Sequence, residues 1–212
     1  MIDTVLFDLD GTICDTNELI LQSFKITLAE VLSLDEEKDT IYSYFGEPLD
    51  KSFSRYSNDI DEIENLVFYY RSFNEKNHDN MIKIFPGVKE TLIALKKKNI
   101  KLGIVTSKRR KMAIKSLSRF NLEKYFTAII TPESTKLHKP NKEPVLEAMK
   151  VLKSKAQTTL MVGDSRYDIM SGNSAGAITC GVSYSVLRKD LISSKPDYMI
   201  DKICEVLDIV NK

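Results

Sequence analysis

The sequence predicts an α/β protein, a doubly wound parallel sheet with an all-helical segment inserted near its start. Three observations carry that expectation. A short buried-strand pattern, Thr4 to Leu6, runs straight into an acidic turn, Asp8-Leu9-Asp10-Gly11-Thr12. From Phe85 onward, strand and helix patterns alternate, which is the texture of βαβ units with right-handed crossovers and helices on both sheet faces. Between these regions no strand pattern occurs from Asp15 to Asn80. The expected division is a core domain of residues 1–15 and 81–212 with a helical domain of residues 16–80.

In chain order, Asn17 to Leu34 places Leu19, Ile20, Phe24, Ile26, Leu28, Val31 and Leu32 near helical spacing. Acidic residues from Asp35 to Asp39 lead into Ile41 to Phe45, and Gly46, Glu47 and Pro48 break the pattern as a turn. Leu49 to Tyr56 reads as a helix, and Asp59 to Asn77 as a longer one with Ile60, Ile63, Leu66, Val67, Tyr70 and Phe73 along one side. Pro86 and Gly87 open a helix to Lys98. Strands are then expected at Lys101–Thr106, Phe126–Thr131, Thr158–Val162, Ala177–Val182 and Asp197–Ile200. Helices are expected at Arg109–Phe120, Glu143–Lys153, Tyr167–Ala175 and from Lys202 onward.

Composition narrows the classes of partner. A chain of 212 residues with 42% apolar content can bury a core, and disorder is excluded as the overall state. Thirty-one basic and 30 acidic residues leave a net charge of +1, so no global field recruits nucleic acid or an anionic membrane. Cys14, Cys180 and Cys204 form no CxxC pair, which suits a reducing compartment. No leader-like stretch precedes the first strand, and no apolar run nears the roughly 20 residues of a membrane helix. A cytoplasmic monomer or homodimer is the expectation.

The chemistry gathers at strand ends. Asp8 and Asp10 follow the first strand, where open α/β sheets bind ligands, and carboxylates crowded there are most simply kept charged by a divalent cation. Gly11 lets the backbone turn away, and Thr12 can pin the turn. Thr106 and Ser107 end the second core strand, where they either grip an anionic oxygen or cap the next helix. Lys139 sits before Pro140 in a turn, as an anion ligand or a solvated surface lysine. Asp164 and Asp168 lie one helical turn apart at the start of a helix, so both can face one point, with capping by Asp164 the other reading.

In this order the residues resemble the haloacid dehalogenase superfamily of phosphatases and phosphomutases. Its first motif matches at Asp8 to Thr12, its second at Thr106, its third at Lys139 and its fourth at Gly163-Asp164-Ser165 with Asp168. The resemblance spans essentially the whole chain and implies a Rossmann-like core with the helical segment as its cap. It also implies the chemistry of the site: Asp8 as the nucleophile that forms an aspartyl phosphate, and Asp10 as acid and then base. The implied cofactor is Mg²⁺, held by Asp8, the Asp10 main chain and Asp164, with Asp168 ordering that shell. Thr106, Ser107 and Lys139 would hold the phosphoryl oxygens. Because Asp10 is present, phosphoryl transfer is favoured over halide displacement.

Further wording is similar to the PpaX-type inorganic pyrophosphatases: DTNELI from Asp15, FNEKNHD from Phe73, GIVTSKRR from Gly103 and KPDYMI from Lys195. Cys14, Asp15 and Asn141 depart from the residues common at those places. Pyrophosphate as substrate would need donors for its second phosphate, for which Arg71, His78, Lys108 and Arg109 are the chemical candidates. Phosphoglycolate or another small phosphomonoester, and a phosphoglucomutase-like transfer, stay open. A receiver-like phosphorylation switch and a dinucleotide-binding protein are the readings from other classes, the latter opposed by DLDGT standing where GxGxxG would be.

Overall fold

The computed structural model describes all residues, 1–212, and divides them into two compact units. One comprises Met1–Asp15 with Ile84–Lys212, and the other Thr16–Lys83.

The first unit is built on six strands: β1 (Thr4–Phe7), β2 (Lys101–Val105), β3 (Ala128–Ile130), β4 (Thr159–Gly163), β5 (Ile178–Val182) and β6 (Tyr198–Ile200). They pair in parallel in the order β3-β2-β1-β4-β5-β6. The order reverses beside β1, and a crevice at the carboxyl ends of the strands is where such sheets bind ligands. Register places Phe7 beside Ile104 on one side and Val162 on the other, so Asp8 leaves the sheet level with the ends of both neighbours.

Strand alternation sorts the core into two layers. Val5, Phe7, Leu102, Ile104, Leu160 and Val162 face one layer with residues of three helices, Val88–Lys97, Arg110–Arg119 and Val206–Val210. Leu6, Val105, Ala128, Ile130 and Met161 face the other with Val145, Ala148, Met149 and Leu152 of the helix Glu143–Leu152. Helices thus cover both faces, and β1, β2, β4 and β5 are buried on both sides, which is why they read as apolar runs without polar alternation.

The second unit is helical: α1 (Asn17–Leu32), α2 (Lys38–Tyr42), α3 (Leu49–Phe53) and α4 (Ile60–Met81). Continuing the numbering, the first unit carries α5 (Val88–Lys97), α6 (Arg110–Arg119), α7 (Glu143–Leu152), α8 (Arg166–Ser174), α9 (Arg188–Ser193) and α10 (Val206–Val210). The Phe24 ring is the centre of the second unit's packing, with Tyr70, Phe53 and Tyr44 at centroid distances of 4.9, 5.2 and 5.7 Å. Asp59 caps α4 by accepting the Asp61 N–H at 2.9 Å. No helix is long and apolar enough to cross a membrane.

Four elements differ from the sequence expectation. β3 starts at Ala128 rather than Phe126, because a 3-10 turn at Glu123–Tyr125 diverts the chain before it can pair with Gly103. The terminal helix begins at Val206, after a 3-10 turn at Ile203–Glu205. α4 runs on to Met81, one turn beyond the expected end, and α9 had no signal in its six residues strong enough to mark it.

Phe24→Ala is expected to destabilise the helical unit by about 3–5 kcal/mol, the usual cost of deleting a buried aromatic ring. Urea denaturation of the variant checks this, and a loss below about 1 kcal/mol would mean that the cluster is not a close-packed core.

Candidate active site

The loops leaving β1, β2 and β4, together with the turn before α7, converge on a buried group of charges. Asp8, Asp164 and Asp168 are buried, and one carboxylate oxygen from each lies within 4.8 Å of the others. Lys139 enters among them. Its Nζ donates to Asp8 Oδ1 at 2.7 Å, to Asp168 Oδ1 at 2.6 Å and to the Val105 carbonyl at 3.1 Å. All three hydrogens of the ammonium are therefore accounted for.

Two glycines permit this crowding. Gly11 has φ +80°, and a β-carbon there would stand 2.2 Å from Asp164 Oδ2. A β-carbon on Gly163 would stand 2.2 Å from that of Asp168. Only a hydrogen fits at either place. Asp168 is fixed from its other side, since its Oδ2 accepts from Ser165 N–H at 3.0 Å and from Ser165 Oγ at 2.6 Å, a capping box that starts α8. Both Asp168 oxygens thus accept hydrogen bonds, Oδ1 from Lys139 and Oδ2 from Ser165, within the acidic cluster. Ser185 Oγ donates to the Asp164 carbonyl at 2.6 Å, and Tyr184 OH to the Thr12 carbonyl at 3.0 Å. These two hydroxyls went unmarked in the sequence, where nothing in spacing connects them to the acidic turns.

Three buried acids face one buried ammonium, and the proton affinities of Asp8 and Asp164 register the imbalance. Burial pushes Asp8 up from 3.8 to about 7, with Lys139 working against it and Asp168 and Asp10 adding to it. Burial likewise holds Asp164 well above the usual carboxylate range, with Asp8 and Asp168 reinforcing the shift. For Lys139 burial favours the neutral amine, but Asp168 and Asp8 outweigh it and hold the pKa above the ordinary lysine value. The donor set is oxygen-only and has excess negative charge, which suits a hard divalent cation such as Mg²⁺ between Asp8 and Asp164.

Beside this cluster lies a second pair. Asp10, partly exposed, receives Lys108 Nζ on both carboxylate oxygens at 2.9 and 3.1 Å. Thr106 is buried, and its Oγ1 accepts the Lys108 N–H at 3.1 Å, closing the turn after β2. Ser107 is half-buried in the same turn.

Three further residues were candidates for the second phosphate of a pyrophosphate substrate: Arg109, His78 and Arg71. Arg109 points along the surface to Glu133 at 3.8 Å, with its side chain 61% exposed, because the Glu133 carboxylate caps α6 through the Arg110 N–H. His78 has no exposed surface, and its Nδ1 lies 2.7 Å from Asp79 Oδ1. Arg71 is exposed on α4.

Residues 5–182 match the model of the family described as haloacid dehalogenase-like hydrolase. A PpaX protein of Caldanaerobacter subterraneus subsp. tengcongensis is 46% identical over 210 residues, which span 99% of this chain and 94% of that protein. Pyrophosphatase PpaX of Bacillus mycoides is 38% identical over 212 residues, 100% of this chain and 98% of the relative. Among solved structures, a predicted phosphoglycolate phosphatase from Haemophilus somnus matches with a TM-score of 0.88 at 25% identity, over 98% of this chain and 97% of that one.

Because Asp8 binds its proton more tightly in the fold than in the unfolded chain, the metal-free stability it contributes is complete below pH 3.8. That contribution is lost as pH rises to about 7. A cation that replaces the proton reverses the loss. Added Mg²⁺ is therefore expected to raise Tm by more at about pH 8 than at about pH 5. Equal increments at the two pH values, by differential scanning fluorimetry, would locate the cation elsewhere.

Proposed function

The chain belongs to the haloacid dehalogenase-like hydrolases, and from that membership we propose that it is a Mg²⁺-dependent phosphohydrolase that works through an aspartyl phosphate, with inorganic pyrophosphate as substrate. The observation that carries the reading is the Asp8 carboxylate, held at the end of β1 by Lys139 with Asp10 two residues on.

In the first step an Asp8 oxygen bonds to phosphorus while the bond to the leaving oxygen breaks, and Asp10 gives that oxygen its proton. In the second, water bonds to phosphorus, its proton passes to Asp10, and the bond to Asp8 breaks. Little covalent work is asked of the rest of the site, which positions and neutralises. Lys139 offsets the repulsion between Asp8 and an incoming anion. The Thr106 hydroxyl, whose oxygen already accepts the Lys108 N–H, has its own proton to donate to a phosphoryl oxygen, and the Ser107 N–H is the second proposed donor. Asp8, Asp164 and the Asp10 carbonyl would hold Mg²⁺, which when bound supplies positive charge to the phosphoryl oxygens.

Pyrophosphate is supported by the 46% and 38% identity to PpaX proteins over nearly the full chain. The helical unit is proposed as the cap that selects the leaving group, with Arg71 as the donor to its second phosphate through paired hydrogen bonds. Hydrolysis of phosphoglycolate is the second reading, favoured by the likeness to the Haemophilus somnus structure.

Phosphate release with Mg²⁺ is to be measured across pyrophosphate, phosphoglycolate, a sugar phosphate, a nucleotide and an aryl phosphate. A preference for pyrophosphate of roughly a hundredfold or more in kcat/KM is expected, about 3 kcal/mol of transition-state discrimination. A larger value for phosphoglycolate transfers the assignment to the second reading. Asp8→Asn is expected to remove turnover of every substrate with the fold retained by circular dichroism, and residual activity near wild type would remove Asp8 as the nucleophile. Arg71→Ala should raise KM for pyrophosphate far more than for the aryl phosphate, whereas equal effects would assign Arg71 no contact with the leaving phosphate.

A further inference from the structure

Lys108 has no part in the phosphoryl chemistry described above, yet its geometry ties it to Asp10. Its ammonium makes hydrogen bonds of 2.9 and 3.1 Å to the two Asp10 oxygens, and no other side chain donates to that carboxylate. The Lys108 side chain is 9% exposed, so its aliphatic stem is packed and the direction of its ammonium is set. Its backbone is fixed as well, through the N–H donated to Thr106 Oγ1 at 3.1 Å. Because β1 and β2 are adjacent, with Phe7 opposite Ile104, the loops leaving them run side by side and the Lys108–Asp10 pair fastens one to the other. The two site lysines are thereby divided. Lys139 serves Asp8 and Asp168, and Lys108 serves Asp10.

We propose that Lys108 is a positioning residue for Asp10, fixing the direction from which that carboxyl meets the oxygen leaving phosphorus and, in the next step, the attacking water. The proposal rests on the phosphohydrolase reading. Lys108 gives up no proton in either step: one proton passes from Asp10 to the leaving oxygen, and one from water to Asp10, while the ammonium stays a donor throughout. A lysine that instead binds the substrate's second phosphate, the role for which its chemistry made it a candidate, would have its ammonium turned to the anion. Kinetics separate the two, because a misplaced acid hurts only those steps that need a proton moved, whereas a lost phosphate ligand weakens binding.

Lys108→Met, Lys108→Arg and Asp10→Asn in the full chain, with Mg²⁺, are to be compared on an aryl phosphate, whose leaving group needs no acid, and on an alkyl phosphate, whose leaving group does. In single turnover, Lys108→Met is expected to release the aryl alcohol within roughly threefold of the wild-type rate and the alkyl alcohol roughly 10–100-fold more slowly, following the usual size of acid catalysis. Steady-state kcat should fall on both, since water attack needs Asp10 each time, with KM little changed, and Lys108→Arg should recover most of the loss. A raised KM with unchanged kcat, an equal single-turnover loss on the two substrates, or no effect would each overturn the proposal. Asp10→Asn tells that failure from a deeper one. If it shows no dependence on leaving group, the acid role of Asp10 and the mechanism beneath the proposal fall together; if it does and Lys108→Met does not, only the Lys108 assignment falls.

Discussion

The ammonium of Lys139, set between Asp8 and Asp168, is the interaction on which the site depends. Buried carboxylates close to one another repel strongly where water cannot screen them, and burial alone would leave them protonated. One cation whose hydrogens all go to fixed acceptors lets Asp8 keep a defined direction at the strand end. Removing one partner from such a buried set costs more than the set itself contributes, because the remaining charges stay buried and unpaired. The arrangement is therefore a commitment to chemistry more than to stability.

The fold exists around that commitment in a specific way. Parallel pairing brings the ends of β1, β2 and β4 to one edge, and strands buried on both faces make those ends rigid. Glycine at positions 11 and 163 lets acidic side chains approach backbone where any β-carbon would collide. The capping box of α8 uses Asp168 twice, once to start a helix and once to hold the lysine. Local structure and site geometry are thus the same contacts.

The helical unit has a different physical character. Its core is a cluster of aromatic rings around Phe24, and its charged groups stand apart from the acidic cluster's pattern of one lysine to each set of acids. Tyr56 donates to Glu36 at 2.6 Å, while Arg55 pairs with buried Glu47 at 2.8 Å and lies over the Tyr44 ring at 4.7 Å. A unit tied together this way holds its shape through ring packing and paired charges, independent of a parallel sheet.

The sequence alone determined the alternation of strands and helices, the all-helical stretch after β1, and the acidic turns at strand ends, because each of these is a local pattern of a few residues. The acid pairs Asp8/Asp10 and Asp164/Asp168 stood out for the same reason, whereas Thr106 and Lys139 read by themselves as a helix cap and a surface lysine and were singled out only by their order along the chain. Tertiary structure decided which of them touch: Lys139 reaches Asp8 across 131 residues of chain, Lys108 reaches Asp10 across 98, and Tyr184 reaches Thr12 across 172. It also buried His78, aimed Arg109 at Glu133, and turned Lys108 toward an acid. A side chain's residue type fixes what it can bond, but its partner is set by strand order and register, which act over separations that no local pattern records.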